Sequence, residues 1–272
     1  MASGTNSLGH LDLQTRLLVR IIAFGGRLIT TENDASFKAT PDPVIFAFNH
    51  NNYWETLQLG AYLLTHRQQK KVAFISDWMF GRLPLFRWLI KRIDPIYTYR
   101  KKARFAGLNI HRQKADGEAV CQACLERLGN GQSLGIFPEG SRNHDPHRLK
   151  RGRRGVGEIA LRSGVPVLPA GLDFPHRSRN GRIPWFSAVI LRFGAPLTFP
   201  AEAQAYRRVG REPRLSPLER QKVQVALSAR VTHRIMLELA RLSGKEYPFA
   251  APGISPLARS YLQKTLEMGA LI

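Results

Sequence analysis

The apolar positions of this chain come in short runs. Val44-Ile45-Phe46-Ala47-Phe48 follows a polar stretch, residues 30–43, that closes with Pro41-Asp42-Pro43. A continuous apolar run of that length predicts a strand buried on both faces. Over residues 54–65 the period changes, and Leu57, Ala61 and Leu64 recur at helical spacing. Lys71–Ser76 predicts a second strand and Ile93–Tyr99 a third, with Pro95 demoting its start. Residues 116–129 predict a helix stopped by Gly129-Asn130-Gly131, and Ser133–Phe137 a short strand that runs into Pro138. Residues 155–163 predict a short helix ended by Gly164, and Val165–Leu168 and Ala188–Phe193 two more strands. The tail differs. Ser216-Pro217-Leu218-Glu219 is a capping box with proline at the first helical position, and it opens a long helix to Ser243, stopped by Gly244. A further helix is expected from Ser255-Pro256, while residues 201–216, polar and basic, read as a linker or surface loop.

Short apolar strands alternating with helices predict an α/β fold, a mostly parallel central sheet flanked by helices, with an N-terminal amphipathic helix and a C-terminal helical extension. The expected division is 1–40 for an amphipathic, membrane-attaching segment, 41–200 for the α/β domain and 201–272 for a basic linker and the C-terminal helices. In the first part, Asp12, Arg16, Arg20 and Arg27 break the apolar stretch 8–29, yet Leu13, Leu17, Ile21, Phe24 and Leu28 still share one face. Such a helix either lies in a membrane interface or packs on its own domain. No stretch is apolar for the about 18 residues that a membrane span needs. Residues 78–90, with Trp78, Met79, Phe80, Leu83, Leu85, Phe86 and Trp88, read equally as an interface loop, the wall of an acyl pocket or ordinary core.

Charge narrows the partners. The 272 residues carry 41 Lys+Arg against 20 Asp+Glu, a formal net charge of +21. A field of that size draws polyanions: nucleic acid, an anionic membrane surface or a phosphorylated substrate. The cations cluster at Lys91, Arg92, Arg100, Lys101, Lys102 and Arg104, and again at Arg142, Arg148, Lys150, Arg151, Arg153 and Arg154. Neither cluster has interleaved aromatics for base stacking or a groove-reading motif, which argues against nucleic acid. Anionic lipid headgroups, at ~1 kcal/mol per nearby cation, explain them more economically. Cys121 and Cys124 are the only cysteines, so there is no disulfide framework and a reducing cytosolic setting is the default. Their mid-helix spacing reads as a packed helix face. His144-Asp145-Pro146-His147 has no third ligand nearby and reads as a solvated loop, so no metal is expected.

In α/β sheets functional groups gather beyond the carboxyl ends of the strands. His50 falls there after 44–48, Arg100 after 93–99, Glu139-Gly140-Ser141-Arg142 after 133–137 and Pro169-Ala170-Gly171 after 165–168. Taken alone, His50 also reads as a strand-end histidine, and Glu55 as an acid favoured in a first helical turn by the macrodipole. Arg142 and Glu139 also read as a plain ion pair.

Four blocks in order change that balance. They are Asn49-His50, four residues, Glu55; Asp94-Pro95-Ile96-Tyr97-Thr98-Tyr99-Arg100; Phe137-Pro138-Glu139-Gly140-Ser141-Arg142; and Val165-Pro166-Val167-Leu168-Pro169. Leu149-Lys150-Arg151-Gly152 follows the third. Over residues 40–200 this pattern resembles the glycerolipid acyltransferase superfamily, whose best-known members are 1-acylglycerol-3-phosphate acyltransferases. The third block matches in full. Glu55 stands where the family has aspartate, Asp94 where it has glycine, and Tyr97 where it has phenylalanine.

The resemblance implies transfer of a fatty acyl group from an acyl thioester, acyl-CoA or acyl carrier protein, to the hydroxyl of a lysophospholipid such as 1-acylglycerol-3-phosphate. It implies a place in phospholipid biosynthesis, peripheral or monotopic attachment to the cytoplasmic face of a membrane, and no metal or prosthetic group. It gives His50 the role of base and Glu55 that of its orienter. It assigns Arg100, Glu139, Gly140, Ser141, Arg142 and Lys150 to the substrate phosphate, with Asn49, Pro138 and Pro169 in support. The residue types suit the chemistry. A neutral imidazole can take the proton of an attacking alcohol, and a carboxylate on its far nitrogen fixes the tautomer. Arginine binds phosphate oxygens in pairs. Glu55 and Asp94 also admit the same fold acylating a different lipid acceptor, or a catalytically silent lipid-binding member.

Overall fold

The computed structural model describes residues 29–51, 54–67, 72–78, 95–99, 116–175, 188–253 and 255–269. The amphipathic segment before Ile29, the aromatic stretch after Trp78, Asp94, and Arg100 with its neighbouring cations lie outside the described residues.

The described strands are β1 (Ile29–Glu32), β2 (Ile45–Phe48), β3 (Ala73–Asp77), β4 (Ile96–Thr98), β5 (Leu134–Ile136), β6 (Val167–Asp173) and β7 (Val189–Phe193). They form one sheet in the order β1-β7-β6-β2-β5-β3-β4. All neighbours are parallel except β6 and β7. The helices are α1 (Ala35–Ala39), α2 (Trp54–His66), α3 (Gly117–Gly129), α4 (Gly155–Ser163), α5 (Pro200–Arg211), α6 (Pro217–Ser243) and α7 (Pro256–Gly269). The chain is thus a mixed α/β fold with a mostly parallel sheet.

The alternation within β2 shows why its run is apolar throughout. Phe46 and Phe48 enter one core with Phe37 of α1, Leu59 and Leu63 of α2, Phe74, Leu168 and Phe193. Ile45 and Ala47 enter the other, with Leu134, Ile136 and the apolar faces of α3 to α6. A central strand covered on both faces needs no polar side. Each of these fully buried phenylalanines contributes about 1.5–3 kcal/mol of transfer free energy.

The longest helix, α6, is set by its ends. Ser216 and Glu219 form the reciprocal capping box, Pro217 occupies the first turn, and Gly244 closes the helix at φ 64°. Val223, Leu227, Val231, Ile235, Leu239 and Leu242 form its buried stripe. It packs hard against β6: a Cβ on Gly171 would lie 2.5 Å from the backbone of Leu242 and Ser243. Only glycine permits that approach.

Three elements depart from expectation. Ile29–Glu32 form edge strand β1, although residues 30–32 read as part of a polar stretch; its alternating burial exposes Thr30 and Glu32. Residues 200–211, read as a loop, form α5, whose buried face is Ala203, Ala205 and Val209. Small residues give little apolar signal among so many arginines. The strand expected to stop at Leu168 continues through Pro169, Ala170 and Gly171 to Asp173. Pro169 still accepts, its carbonyl bonding the Gly194 N–H at 2.9 Å just past the end of β7, and pairing with the segment after β7 resumes at Val167, which exchanges hydrogen bonds with Leu197.

Cys121 and Cys124 lie buried on α3. Burial pushes their thiols up to about 11 and about 12, so neither forms appreciable thiolate near neutral pH. Among the described residues no helix is long and apolar enough to cross a membrane.

Candidate active site

β2 and β5 are neighbours and parallel, so the turns after them lie side by side. One carries Asn49-His50-Asn51 and the other Phe137–Arg142. Asn49 is fully buried and works as a piece of strand: its side-chain amide donates to the Leu172 carbonyl at 2.9 Å and accepts the Leu172 N–H at 2.7 Å. This pins the end of β2 to β6 just before the histidine.

His50 is held at both ends of its backbone. Its N–H donates to Glu139 Oε1 at 2.9 Å, and its carbonyl accepts the Asn143 N–H at 2.7 Å. The ring stacks on Phe137, with centroids 4.2 Å apart and planes 27° from parallel. Nδ1 meets Glu55 Oε1 at 2.5 Å. Glu55 lies in the first turn of α2 and is wholly buried. Its Oε1 also accepts the Asn51 N–H at 2.6 Å. The longer acid therefore reaches the imidazole from the first turn of α2. With Nδ1 engaged, Nε2 is the ring nitrogen left for chemistry.

Glu139 sits differently from its assignment to a substrate phosphate. It is 2% exposed, and its second oxygen accepts the Lys150 N–H at 2.8 Å. Both oxygens hold backbone amides, and a carboxylate directed at phosphate would repel it. Glu139 ties the His50 turn to the Lys150 segment. Burial pushes its carboxyl above the ordinary value, against the pull of the His50 and Lys150 amides and the Lys245 charge. The Pro138 carbonyl adds a second tie by accepting the Arg153 N–H at 2.8 Å. Gly140 is at φ +65°, the left-handed conformation that favours glycine.

The cationic rim is more open. Ser141 and Arg142 are half-buried, and Lys150 is exposed. The Lys150 ammonium donates to the Arg142 carbonyl at 2.5 Å and lies 3.4 Å from Ser141 Oγ. It braces the turn that presents Arg142. Pro169, inside β6, does not join the rim, and Arg100 lies outside the described residues.

Three residues escaped the sequence reading: Asn51, Asn143 and Lys245. The first two adjoin recognised blocks, and their signal is that adjacency. Asn143 is 3% exposed and also donates from its side chain to the Arg148 carbonyl at 2.5 Å. Lys245 has no local signal at all.

Known proteins resemble this chain. The chloroplastic 1-acyl-sn-glycerol-3-phosphate acyltransferase of Arabidopsis thaliana is 25% identical over 148 residues, 53% of this chain and 35% of that protein. The lyso-ornithine lipid O-acyltransferase of Pseudomonas aeruginosa is 26% identical over 140 residues, 51% of this chain and 46% of that protein. The chain spans less than half the length of these curated relatives. The crystal structure of the 1-acyl-sn-glycerophosphate acyltransferase from Thermotoga maritima superposes with a TM-score of 0.46 at 18% identity, covering 87% of each chain. The model of the family described as Acyltransferase matches residues 29–173, from the start of β1 to the end of β6, and the chain belongs to that family.

Proposed function

We propose that this acyltransferase moves a fatty acyl group from an acyl thioester, acyl-CoA or an acyl carrier protein, to the hydroxyl of a lysophospholipid, most simply 1-acylglycerol-3-phosphate. The observation that carries the proposal is the 2.5 Å contact between His50 Nδ1 and the buried Glu55 carboxylate at the end of a central strand. That pairing keeps the proton on Nδ1 and presents Nε2 as a general base. The acceptor hydroxyl gives its proton to Nε2 as its oxygen attacks the thioester carbonyl. The tetrahedral intermediate then collapses, expelling the thiolate, which the His50 imidazolium protonates. No enzyme-bound acyl intermediate is required. Arg142, presented by the Gly140 turn and braced by Lys150, holds the acceptor phosphate, with Arg100 as the second cation. The net charge of +21 favours work at an anionic, cytoplasmic membrane face to which the protein attaches peripherally.

A second acceptor class has its own support. The match to the lyso-ornithine lipid enzyme covers 51% of this chain, much the same share as the match to the phosphate-acceptor enzyme. The ammonium of Lys150 also bonds within the protein, to the Arg142 carbonyl. The test is transfer of radiolabelled acyl groups, from CoA and carrier-protein donors, to a panel of lysolipids with and without a phosphate monoester. Label in 1-acylglycerol-3-phosphate that disappears in His50→Ala supports the first reading. Label only in acceptors lacking phosphate replaces it with the second, and no label in any acceptor sinks both.

A further inference from the structure

The family match ends at Asp173, yet the chain returns to the candidate site from far beyond it. Gly244 closes α6 in the left-handed conformation and turns the chain across the two active-site loops. Residues 245–247 then form a strap. The Glu246 N–H donates to the His147 carbonyl at 2.8 Å, and the Glu246 carbonyl accepts the Leu149 N–H at 2.9 Å. Tyr247 Oη accepts the Gly152 N–H at 3.2 Å. At the head of this strap Lys245 points inward and is only 7% exposed. Its ammonium donates to Asn51 Oδ1 and lies 3.5 Å from the Asp145 carbonyl.

A buried ammonium is costly unless charge and hydrogen bonds compensate it. Here they do. Its charge opposes the burial penalty on Glu139, and its donors join the two loops that grip His50. Asn51, which it holds by the side chain, is the residue whose N–H fixes Glu55 Oε1. Asp145, which it meets by the backbone, follows closely on Asn143, whose N–H fixes the His50 carbonyl. One ammonium thus sits behind both supports of the His50–Glu55 pair.

We propose that Lys245 is a positioning residue: by fixing Asn51 and the 143–148 loop, it holds Glu55 against His50 Nδ1 and so sets the aim of Nε2. This rests on the reading of His50 as the base. An apolar residue at 245 would fill the space but release the Asn51 turn. Misplacement of a reacting group by about 1 Å costs up to roughly 100-fold in rate.

The test uses the full chain and two readouts. The first is the low-field proton resonance of the His50 Nδ1–H bonded to Glu55, assigned by its loss in His50→Ala. The second is acyl transfer, resolved into kcat and acceptor KM. Lys245→Met should broaden or abolish the resonance while the thermal midpoint stays near wild type. It should lower kcat about 10- to 100-fold, with KM within about threefold. Asn51→Ala breaks the same contact from the other side and should do the same. The double variant should be no worse than the more severe single variant, because the Lys245–Asn51 bond is lost in both. An unchanged resonance and kcat in either variant, or losses that multiply in the double, overturn the proposal. If Lys245→Met fails to fold, Asn51→Ala decides it alone. A wild type without the resonance also overturns it. Should no acceptor be labelled, the proposed function falls, while the resonance still decides the role of Lys245.

Discussion

The candidate site has two halves built on opposite terms. Around His50 the polar supports are enclosed: Asn49 on β6, Glu139 beneath the histidine N–H, Asn143 on its carbonyl, Glu55 on Nδ1. A few residues away the rim is made of side chains that face solvent, with Arg142 half-buried and Lys150 exposed. The first half is built to hold an atom in one place. The second can accommodate headgroups of different shape. The difference teaches where to look for each property: the reaction in the frame, the choice of acceptor on the rim.

The largest test of that division removes the imidazole. His50→Ala should lower kcat by about 10²- to 10⁴-fold, the usual contribution of a positioned acid–base group. Binding of the acceptor, measured separately by equilibrium partition, should change little, because the rim is untouched. A variant as active as wild type would take the frame out of the chemistry.

Glu55→Asp tests how tight the frame is. Losing one methylene withdraws the carboxylate by up to about 1.5 Å. With the backbone where it stands, the 2.5 Å contact to Nδ1 opens. A fall in kcat of about 10- to 100-fold is expected, with the acceptor KM nearly constant. Restoration of full activity by aspartate would mean that the turn can follow the shorter acid, and that the frame is looser than its hydrogen bonds imply.

Much of the frame was legible because its residues carry local chemistry. The run 44–48 announces a doubly covered strand, and the Ser216 box and Gly244 bound α6 at the expected residues. His50 and Glu55, five apart, meet because one follows the end of β2 and the other lies in the first turn of α2. What stayed hidden acts over long range or through small residues. Asn49 meets Leu172, and Lys245 meets Asn51, only through the fold. Alanines and one valine bury α5, and β6 continues through a proline whose carbonyl still accepts from Gly194, just past the end of β7. Glu139 reads in sequence as part of a phosphate block, and only its burial reveals that both oxygens belong to the backbone.

On the rim the expected signature reverses. Arg142→Ala should raise the KM for a phosphate-bearing acceptor by about 10- to 100-fold, the equivalent of roughly 1.5–3 kcal/mol for hydrogen bonds to a charged group. Its kcat should stay within about threefold, since Nδ1 and Glu55 are unaffected. The same variant should treat an acceptor without a phosphate almost as wild type does. A loss confined to kcat would move Arg142 out of the rim and into the frame.

The smallest effect belongs to Lys150, whose ammonium bonds the Arg142 carbonyl and is exposed to solvent. Exposed contacts of this kind contribute at most about 1 kcal/mol, so Lys150→Ala should change the acceptor KM by no more than about fivefold. Its value lies in salt. At low ionic strength the charge reaches well beyond its contacts, and at 0.15 M the screening length falls to about 8 Å. The ratio of wild type to Lys150→Ala should therefore shrink toward one as salt rises, while the ratio of wild type to His50→Ala stays constant. If both ratios move together, the two halves are electrostatically one site. If neither moves, Lys150 acts as a brace for the Gly140–Arg142 turn rather than as a charge.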